Sequence, residues 1–166
     1  MPANPDRNLR LASASSPDTV EALFVREYDA MIRLAYVLVR SQSDAEEIVQ
    51  DAFLDVQRRW PSLLNPGGYL RSSVVNGARR MQRRGANRRR ILDSVRHPSA
   101  STSGEPEYLL DVLAGLPERY RTAIVLAYYL DLSPNEIAEA LGCRPGTAKS
   151  LVHRGLKRLR RDLDNV

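Results

Sequence analysis

The sequence predicts an all-α protein, made of two small helical domains joined by a flexible linker. Apolar residues recur at helical spacing in almost every long segment, and no stretch alternates between apolar and polar residues as a half-buried strand does. Small, polar, turn-forming residues divide the helical segments into two groups. With 166 residues, 43% of them hydrophobic, the chain suits one ordinary domain or two small ones.

The first three helices are predicted from capping residues and apolar stripes. Asp18 with Glu21, and Ser43 with Glu46, have the spacing of capping boxes, so a helix is predicted to begin at each. The third is predicted to begin at Asn65-Pro66, because asparagine caps a helix and proline suits its first position. We therefore expect a three-helix N-terminal domain over residues 18–90, preceded by a flexible arm over residues 1–17.

A linker is predicted over residues 91–107, followed by a C-terminal domain over 108–166. The linker contains the run His-Pro-Ser-Ala-Ser-Thr-Ser-Gly, which favours no regular structure. Four helices are then expected. Pro117 separates the first two, Ser133 and Glu136 form a capping box for the third, and Gly142 ends it. The last helix is predicted from Thr147 to Leu163.

Composition excludes several classes of protein. The single cysteine, Cys143, cannot form an internal disulfide, and with only His97 and His153 beside it a structural zinc site is not expected. No apolar run approaches the roughly 18 residues of a membrane span, and residues 1–17 lack the apolar stretch of a signal peptide. We expect a cytoplasmic protein without metal or cofactor.

Charge is distributed in four alternating blocks. Residues 18–60 carry nine acids and five arginines, and residues 61–104 carry nine arginines and one acid. Residues 105–139 carry seven acids and two arginines, and residues 140–166 carry seven cations and two acids. Of the 25 basic residues 23 are arginine, which binds phosphate through a planar fork. Solvated charge would explain such blocks, but they also suit a nucleic-acid surface on each domain.

The last two helices have the pattern of a helix-turn-helix DNA reader. Gly142 and Gly146 bracket the turn, and the last helix has an apolar face and a basic face. Such a helix packs one side on its own domain and presents the other to base edges and phosphates. The alternative is a basic amphipathic helix whose charges only face water.

Two faces of the N-terminal domain are also candidates for binding partners; the alternatives are an ordinary exposed leucine among acids and a solvated basic helix in which Tyr69 and Asn76 serve structure. Glu47, Gln50, Asp51 and Leu54 recur at i, i+3, i+4 and i+7, giving an acidic face with an apolar centre that suits protein docking. The third helix is rich in arginine, and one of its faces carries an aromatic residue, an amide and cations, as a nucleic-acid strand requires. That face consists of Tyr69, Asn76, Arg80 and Arg83.

Four stretches, in order, resemble the extracytoplasmic-function (ECF) sigma factors, the small promoter-recognition subunits of bacterial RNA polymerase. Asp44-Ala-Glu-Glu-Ile-Val-Gln-Asp-Ala-Phe53 is similar to their polymerase-docking helix. Asn65-Pro-Gly-Gly-Tyr-Leu-Arg-Ser-Ser-Val-Val-Asn76 resembles their reader of the minus-ten element. Leu113-Ala-Gly-Leu-Pro-Glu-Arg-Tyr-Arg121 resembles the start of their second domain. Leu132-Ser-Pro-Asn-Glu-Ile-Ala-Glu-Ala-Leu-Gly142 with Gly146-Thr-Ala-Lys-Ser150 resembles their minus-thirty-five reader.

The resemblance implies core RNA polymerase and promoter DNA, duplex and melted, as partners, with an anti-sigma factor as a further one. It implies no catalytic residue. It places polymerase docking on Glu47, Gln50, Asp51 and Leu54. It assigns minus-ten DNA to Tyr69, Asn76, Arg79, Arg80, Arg83 and Arg84. It assigns minus-thirty-five DNA to Arg144, Thr147, Lys149, Ser150, His153, Arg154 and Lys157.

The chain departs from the family pattern at the turn of its C-terminal reader. Arg144 stands where the family usually has a capping serine, and Leu151 replaces a frequent arginine. Two other functions stay open from the residues alone. An autonomous helix-turn-helix regulator would not need the basic third helix. An enzyme such as a recombinase would need an activated nucleophile, and Ser72 and Ser73 have no predicted general base.

Overall fold

The computed structural model describes residues 19–91 and 107–165, with side chains over 19–85 and 108–165. Within these ranges every regular element is a helix, which confirms the all-α prediction. The helices are α1 (Val20–Val39), α2 (Gln42–Arg59), α3 (Pro66–Ile91), α4 (Glu107–Gly115), α5 (Glu118–Tyr128), α6 (Pro134–Leu141) and α7 (Pro145–Asp164), with a 3₁₀ turn at Trp60–Ser62. The predicted arm, and nearly all of the predicted linker, lie outside the described residues.

Helices α1, α2 and α3 pack against one another and form the N-terminal unit. The two capping boxes predicted at its start are wrong. Thr19 caps α1, its hydroxyl accepting from the Ala22 N–H at 3.1 Å, and Ser41 caps α2. The shift at α2 follows from Arg40, whose left-handed backbone (φ 59°) ends α1 and lets the next helix begin two residues earlier than predicted.

The C-terminal unit consists of α4 to α7, with α7 packed across α5 and α6. The capping box of Ser133 and Glu136 is confirmed: the serine hydroxyl accepts from the Glu136 N–H, and the glutamate accepts from the Ser133 N–H at 2.8 Å. Gly142 has φ 64° and closes α6, as predicted. Helix α7 begins at Pro145, two residues earlier than expected, because proline at the first position has its φ fixed for a helix.

The two units are in contact. Helix α3 packs on α6, and α1 packs on α5 and α4. Buried residues of both units, such as Leu34, Leu70, Leu126 and Ile137, belong to one continuous apolar cluster. The sequence predicts two groups of helices but not this packing between them. No helix in the described part of the chain is both long enough and apolar enough to cross a membrane.

Candidate docking and DNA-reading surfaces

The acidic face of α2 is exposed as predicted. Glu47, Gln50, Asp51 and Leu54 all face solvent, and Leu54 is 49% exposed. The opposite face, which includes Ile48, Val49, Ala52 and Val56, is buried in the unit. The helix therefore holds an apolar side chain among acids on a firmly packed support, as a protein-docking surface requires.

The predicted minus-ten residues lie along one side of α3. Asn76, Arg80, Arg83 and Arg84 are exposed, and Tyr69 is partly buried. The opposite side of α3 is fixed in the core by Leu70, Val74, Val75 and Ala78. Arg79 differs from the other arginines: it lies on the flank of this face, its side chain is 20% exposed, and it pairs with Glu118 of the C-terminal unit at 2.7 Å.

Tyr69 is held in place by the neighbouring helix. Its hydroxyl donates a hydrogen bond to the Asp55 carboxylate, and the Arg59 guanidinium lies 5.8 Å from the centre of its ring. Arg59 also pairs with Asp55 at 3.3 Å. The bond from Tyr69 lowers the pKa of Asp55, and the bond to Asp55, together with burial, raises the pKa of Tyr69. The aromatic ring is therefore positioned by α2, which also carries the acidic face.

A glycine allows α2 and α3 to approach closely. A β-carbon at Gly77 would lie 2.9 Å from Ile48 Cγ2, closer than real β-carbons come to other atoms. The sequence pattern does not identify this role, because a glycine within a helix has no signature of its own. Asp55 and Arg59 were also missed, since they lie beside the predicted acidic face and only the fold brings them to Tyr69.

The turn before α7 lacks a side-chain cap. Arg144 occupies the N-cap position in an extended conformation and makes no capping hydrogen bond. Its side chain is exposed, so the guanidinium is open to a phosphate. The departure noted in the sequence is thus visible in the structure as a helix that begins at Pro145 without a side-chain cap.

The basic face of α7 is presented to solvent. Ala148 and Gly155 are buried against the unit, and a β-carbon at Gly155 would lie 3.0 Å from Ile124 Cδ1. Arg144 and the predicted reading residues of this helix are all exposed: Thr147, Lys149, Ser150, His153, Arg154 and Lys157. Leu151 is partly buried. All seven residues that the family resemblance assigned to this reader are therefore accessible to a partner.

Within residues 19–91 and 107–165, no group of three or more histidine, cysteine or acidic side chains has the arrangement of a metal site. Cys143 is free and partly buried in the turn between α6 and α7. His153 lies on the exposed face of α7 among cations.

Two family models match the chain. The first model, Sigma-70 region 2, matches residues 23–90, and the second, Sigma-70, region 4, matches residues 107–159. The first match contains the acidic face of α2 and the basic face of α3. The second contains the helix-turn-helix.

Similar proteins carry related names. The RNA polymerase sigma-E factor of Streptomyces avermitilis is 31% identical, over 87% of this chain and 88% of its own. The ECF RNA polymerase sigma factor SigE of Mycolicibacterium smegmatis is 36% identical, over 82% of this chain and 58% of its own.

Two solved structures have a similar fold. One is the sigma factor RpoE with the anti-sigma factor NepR from Bartonella quintana (TM-score 0.73, 24% identity, covering 87% of this chain and 96% of that one). The other is CnrH with the cytosolic domain of CnrY (TM-score 0.67, 22% identity, covering 98% and 99%).

Proposed function

This chain belongs to the ECF sigma factors of bacterial RNA polymerase, and we propose from its surfaces how it does the work of that family. As a sigma factor it binds core RNA polymerase and directs it to specific promoters. The observation that supports the assignment of surfaces is the presence of two exposed basic faces, on α3 and α7, beside one acidic face on α2.

The acidic face of α2 docks on the polymerase. Glu47 and Asp51 supply charge for basic residues of the largest subunit, and Leu54 supplies an apolar centre that is desolvated on binding. Charged residues of this kind speed and orient association, while the apolar centre adds to affinity. The core beneath the face, with Val49 and Val56 fully buried, lets it bind without refolding.

The basic face of α3 holds the melted minus-ten strand. Arg80, Arg83 and Arg84 are exposed cations that suit phosphates, and Asn76 offers an exposed amide that can pair with a base edge. Extruding a base from the duplex costs a few kcal/mol, and contacts to the extruded base must offset this free energy. Tyr69, fixed by Asp55, flanks the melted step and needs no further ordering when DNA arrives.

The basic face of α7 reads the minus-thirty-five element as duplex. Thr147, Lys149 and Ser150 lie at the beginning of the helix, where a recognition helix meets base edges, and His153 and Arg154 follow one turn later. Arg144 and Lys157 lie toward the two ends of the face and suit phosphates. In this scheme the polymerase makes the RNA, and the chain contributes only binding.

An anti-sigma factor is a further proposed partner. Two structural neighbours were solved as complexes, RpoE with the anti-sigma factor NepR and CnrH with the cytosolic domain of CnrY. In this chain a largely apolar groove of about 730 Å³ lies between α1, α4, α5 and α7, with Tyr128 66% exposed at its side. The groove offers an apolar surface to a helix of such a partner. Replacing Tyr128 by arginine should then reduce repression by the cognate anti-sigma factor while leaving transcription without it intact.

Reconstituted transcription tests the assignment of function. The chain, core polymerase and a promoter chosen by genomic selection should together give a defined transcript, and core polymerase alone should not. An autonomous regulator would instead bind duplex tightly by itself, as a dimer on a palindrome, and would not elute with core polymerase in size exclusion. Equal transcription with and without the chain would contradict the proposal.

A further inference from the structure

The groove between α1, α4, α5 and α7 has the size of a small-molecule site. Its volume is about 730 Å³, and pockets for small ligands measure about 300–1,000 Å³. A second apolar cluster, which includes Leu113 and Ile124, lies apart from the main core at this groove. The leucines that pack on this cluster are only partly buried where they line the groove: Leu109, Leu156 and Leu159.

The charge of the groove comes from α1. Arg33 is exposed on this helix, and its guanidinium donates a hydrogen bond to the Tyr129 hydroxyl, at 3.3 Å, just after the end of α5. Among the described residues that line the groove, Arg33 is the only one with a charge at neutral pH, and none is acidic. The arginine offers N–H donors and no acceptor. The groove therefore favours an anion over a cation.

Tyr36 has a hydroxyl that lacks a hydrogen-bond partner. The residue lies one turn after Arg33 on α1, lines the groove and is only 4% exposed. Its hydroxyl oxygen is buried and makes no hydrogen bond within residues 19–91 and 107–165. A buried hydroxyl without a partner is unfavourable, because it has lost its bonds to water and gained none in return. An acceptor atom of a ligand would supply the missing bond.

The walls from α4 and α7 present only aliphatic side chains. Leu109, Leu110 and Leu113 come from α4, and Leu156 and Leu159 come from α7. An alkyl chain laid on these leucines would remove apolar surface from water, and the gain is roughly proportional to the area covered. The groove thus combines an aliphatic wall with a wall that carries hydrogen-bond donors and one positive charge.

We infer that this groove binds an aliphatic carboxylate of the fatty-acid type. Its carboxylate accepts a hydrogen bond from Tyr36 and pairs with Arg33, and its chain covers the leucines of α4 and α7. The site is separate from the proposed docking and reading faces, so the inference does not depend on which surfaces bind polymerase and DNA. Because an anti-sigma helix is proposed for the same groove, the carboxylate and such a helix would exclude each other.

Isothermal titration calorimetry of the full chain with octanoate tests this site, and octan-1-ol serves as the uncharged comparison. Tyr36→Phe removes the unpaired hydroxyl. Arg33→Gln removes the charge at an exposed position, so the fold is kept. Tyr108→Phe is the matched control, because it makes the same change at a residue of α4 that is 48% exposed and does not line the groove.

The native chain and Tyr108→Phe should bind octanoate at a single site, with the negative heat-capacity change of buried apolar surface. Tyr36→Phe should bind octanoate roughly tenfold more weakly, because it loses a hydrogen bond to a charged group. Its thermal stability without ligand should not fall, since the lost hydroxyl had no partner. Arg33→Gln should weaken the binding of octanoate but not that of octan-1-ol.

Absence of saturable octanoate binding by the native chain would overturn the inference. Equal octanoate affinities in Tyr36→Phe and Tyr108→Phe would also overturn it, as would an unchanged preference for octanoate over octan-1-ol in Arg33→Gln. None of these results bears on reconstituted transcription, so the proposed function of the chain would stand or fail separately.

Discussion

The Tyr69 hydroxyl on α3 donates a hydrogen bond to the Asp55 carboxylate on α2, so the helix proposed to read DNA is tied to the helix proposed to dock on polymerase. The same carboxylate pairs with Arg59, whose guanidinium lies near the Tyr69 ring. Asp55 holds the hydroxyl of Tyr69 and Arg59 lies near its ring, so the ring keeps one orientation. A fixed ring suits the proposed contact with the melted step, because it is already oriented before the DNA melts.

The pH dependence of this bond follows from its two pKa shifts. The pKa of Asp55 is lowered from 3.8 chiefly by the bond from Tyr69, so the stabilisation is present above that pH and is lost as pH falls through the lowered pKa. The pKa of Tyr69 is raised from 10.0 chiefly by the bond to Asp55, so the stabilisation is present below that pH and is lost as pH rises through the raised pKa. The bond should therefore be intact across the neutral range.

Tyr69→Phe should remove one late-titrating phenol. The difference in near-ultraviolet absorbance between the native chain and the variant, followed through alkaline titration, should show a tyrosine that ionises above the ordinary range. At neutral pH the variant should lose at most about 1 kcal/mol of stability, because solvent reaches the pair. A difference curve with an ordinary midpoint would show that the bond is absent in solution.

Asp51→Arg should weaken binding to core polymerase roughly tenfold or more, because it places a cation where the proposed partner surface is basic. Helical content should not change, since Asp51 is exposed. Asp29→Arg is the matched control: it makes the same charge reversal at an exposed position of α1. Fluorescence titration of labelled core polymerase measures both. Unchanged affinity in Asp51→Arg would remove the acidic face of α2 from the docking surface.

Arg154→Ala should reduce discrimination between the selected promoter and a scrambled minus-thirty-five element by about 1–3 kcal/mol, if its side chain reads a base. Arg160→Ala removes the same charge from an exposed position farther along α7 and should weaken both DNAs alike. Competition binding by the holoenzyme separates the two effects. Equal loss on both DNAs in Arg154→Ala would reassign Arg154 to the phosphate backbone.

Arg144→Ser should stabilise the chain by about 1 kcal/mol, because serine can cap α7 where arginine does not. It should also lower the slope of log affinity against log salt by about 1 if Arg144 holds a phosphate. Arg144→Ala is the control, since it loses the same charge without gaining a cap. Urea unfolding and salt titration measure the two effects. No stability difference between the serine and alanine variants would show that the start of α7 gains nothing from a cap.

The sequence predicted the structural features that depend on residues close together along the chain. The apolar stripes of α2 and α7, the capping box at Ser133 and the end of α6 at Gly142 all depend on residues a few positions apart, and the structure confirms them. The caps at Ser41 and Thr19 were missed because each has a second plausible capping residue nearby in the sequence. Exposure of the predicted residues of α2 and α7 followed from the same stripes, whereas Tyr69 and Arg79 of α3 are partly buried.

The sequence pattern could not predict contacts between residues that are distant along the chain. Nothing local indicates that Tyr69 meets Asp55, that Gly77 makes room for Ile48, or that Arg79 pairs with Glu118. The alternating charge blocks did contain part of this information. Their interpretation as two nucleic-acid surfaces left the acidic block of residues 105–139 unexplained. In the structure Asp111, Glu118 and Glu136 of this block pair with arginines of the N-terminal unit.

Permanganate footprinting of the selected promoter tests the central claim most directly, because it reports unpaired thymines in the minus-ten element. With core polymerase and the chain together, these thymines should become reactive, and protection should extend over the minus-thirty-five element. Neither protein alone should produce this pattern. Reactive thymines with core polymerase alone, or protection of both elements by the chain alone, would contradict the account.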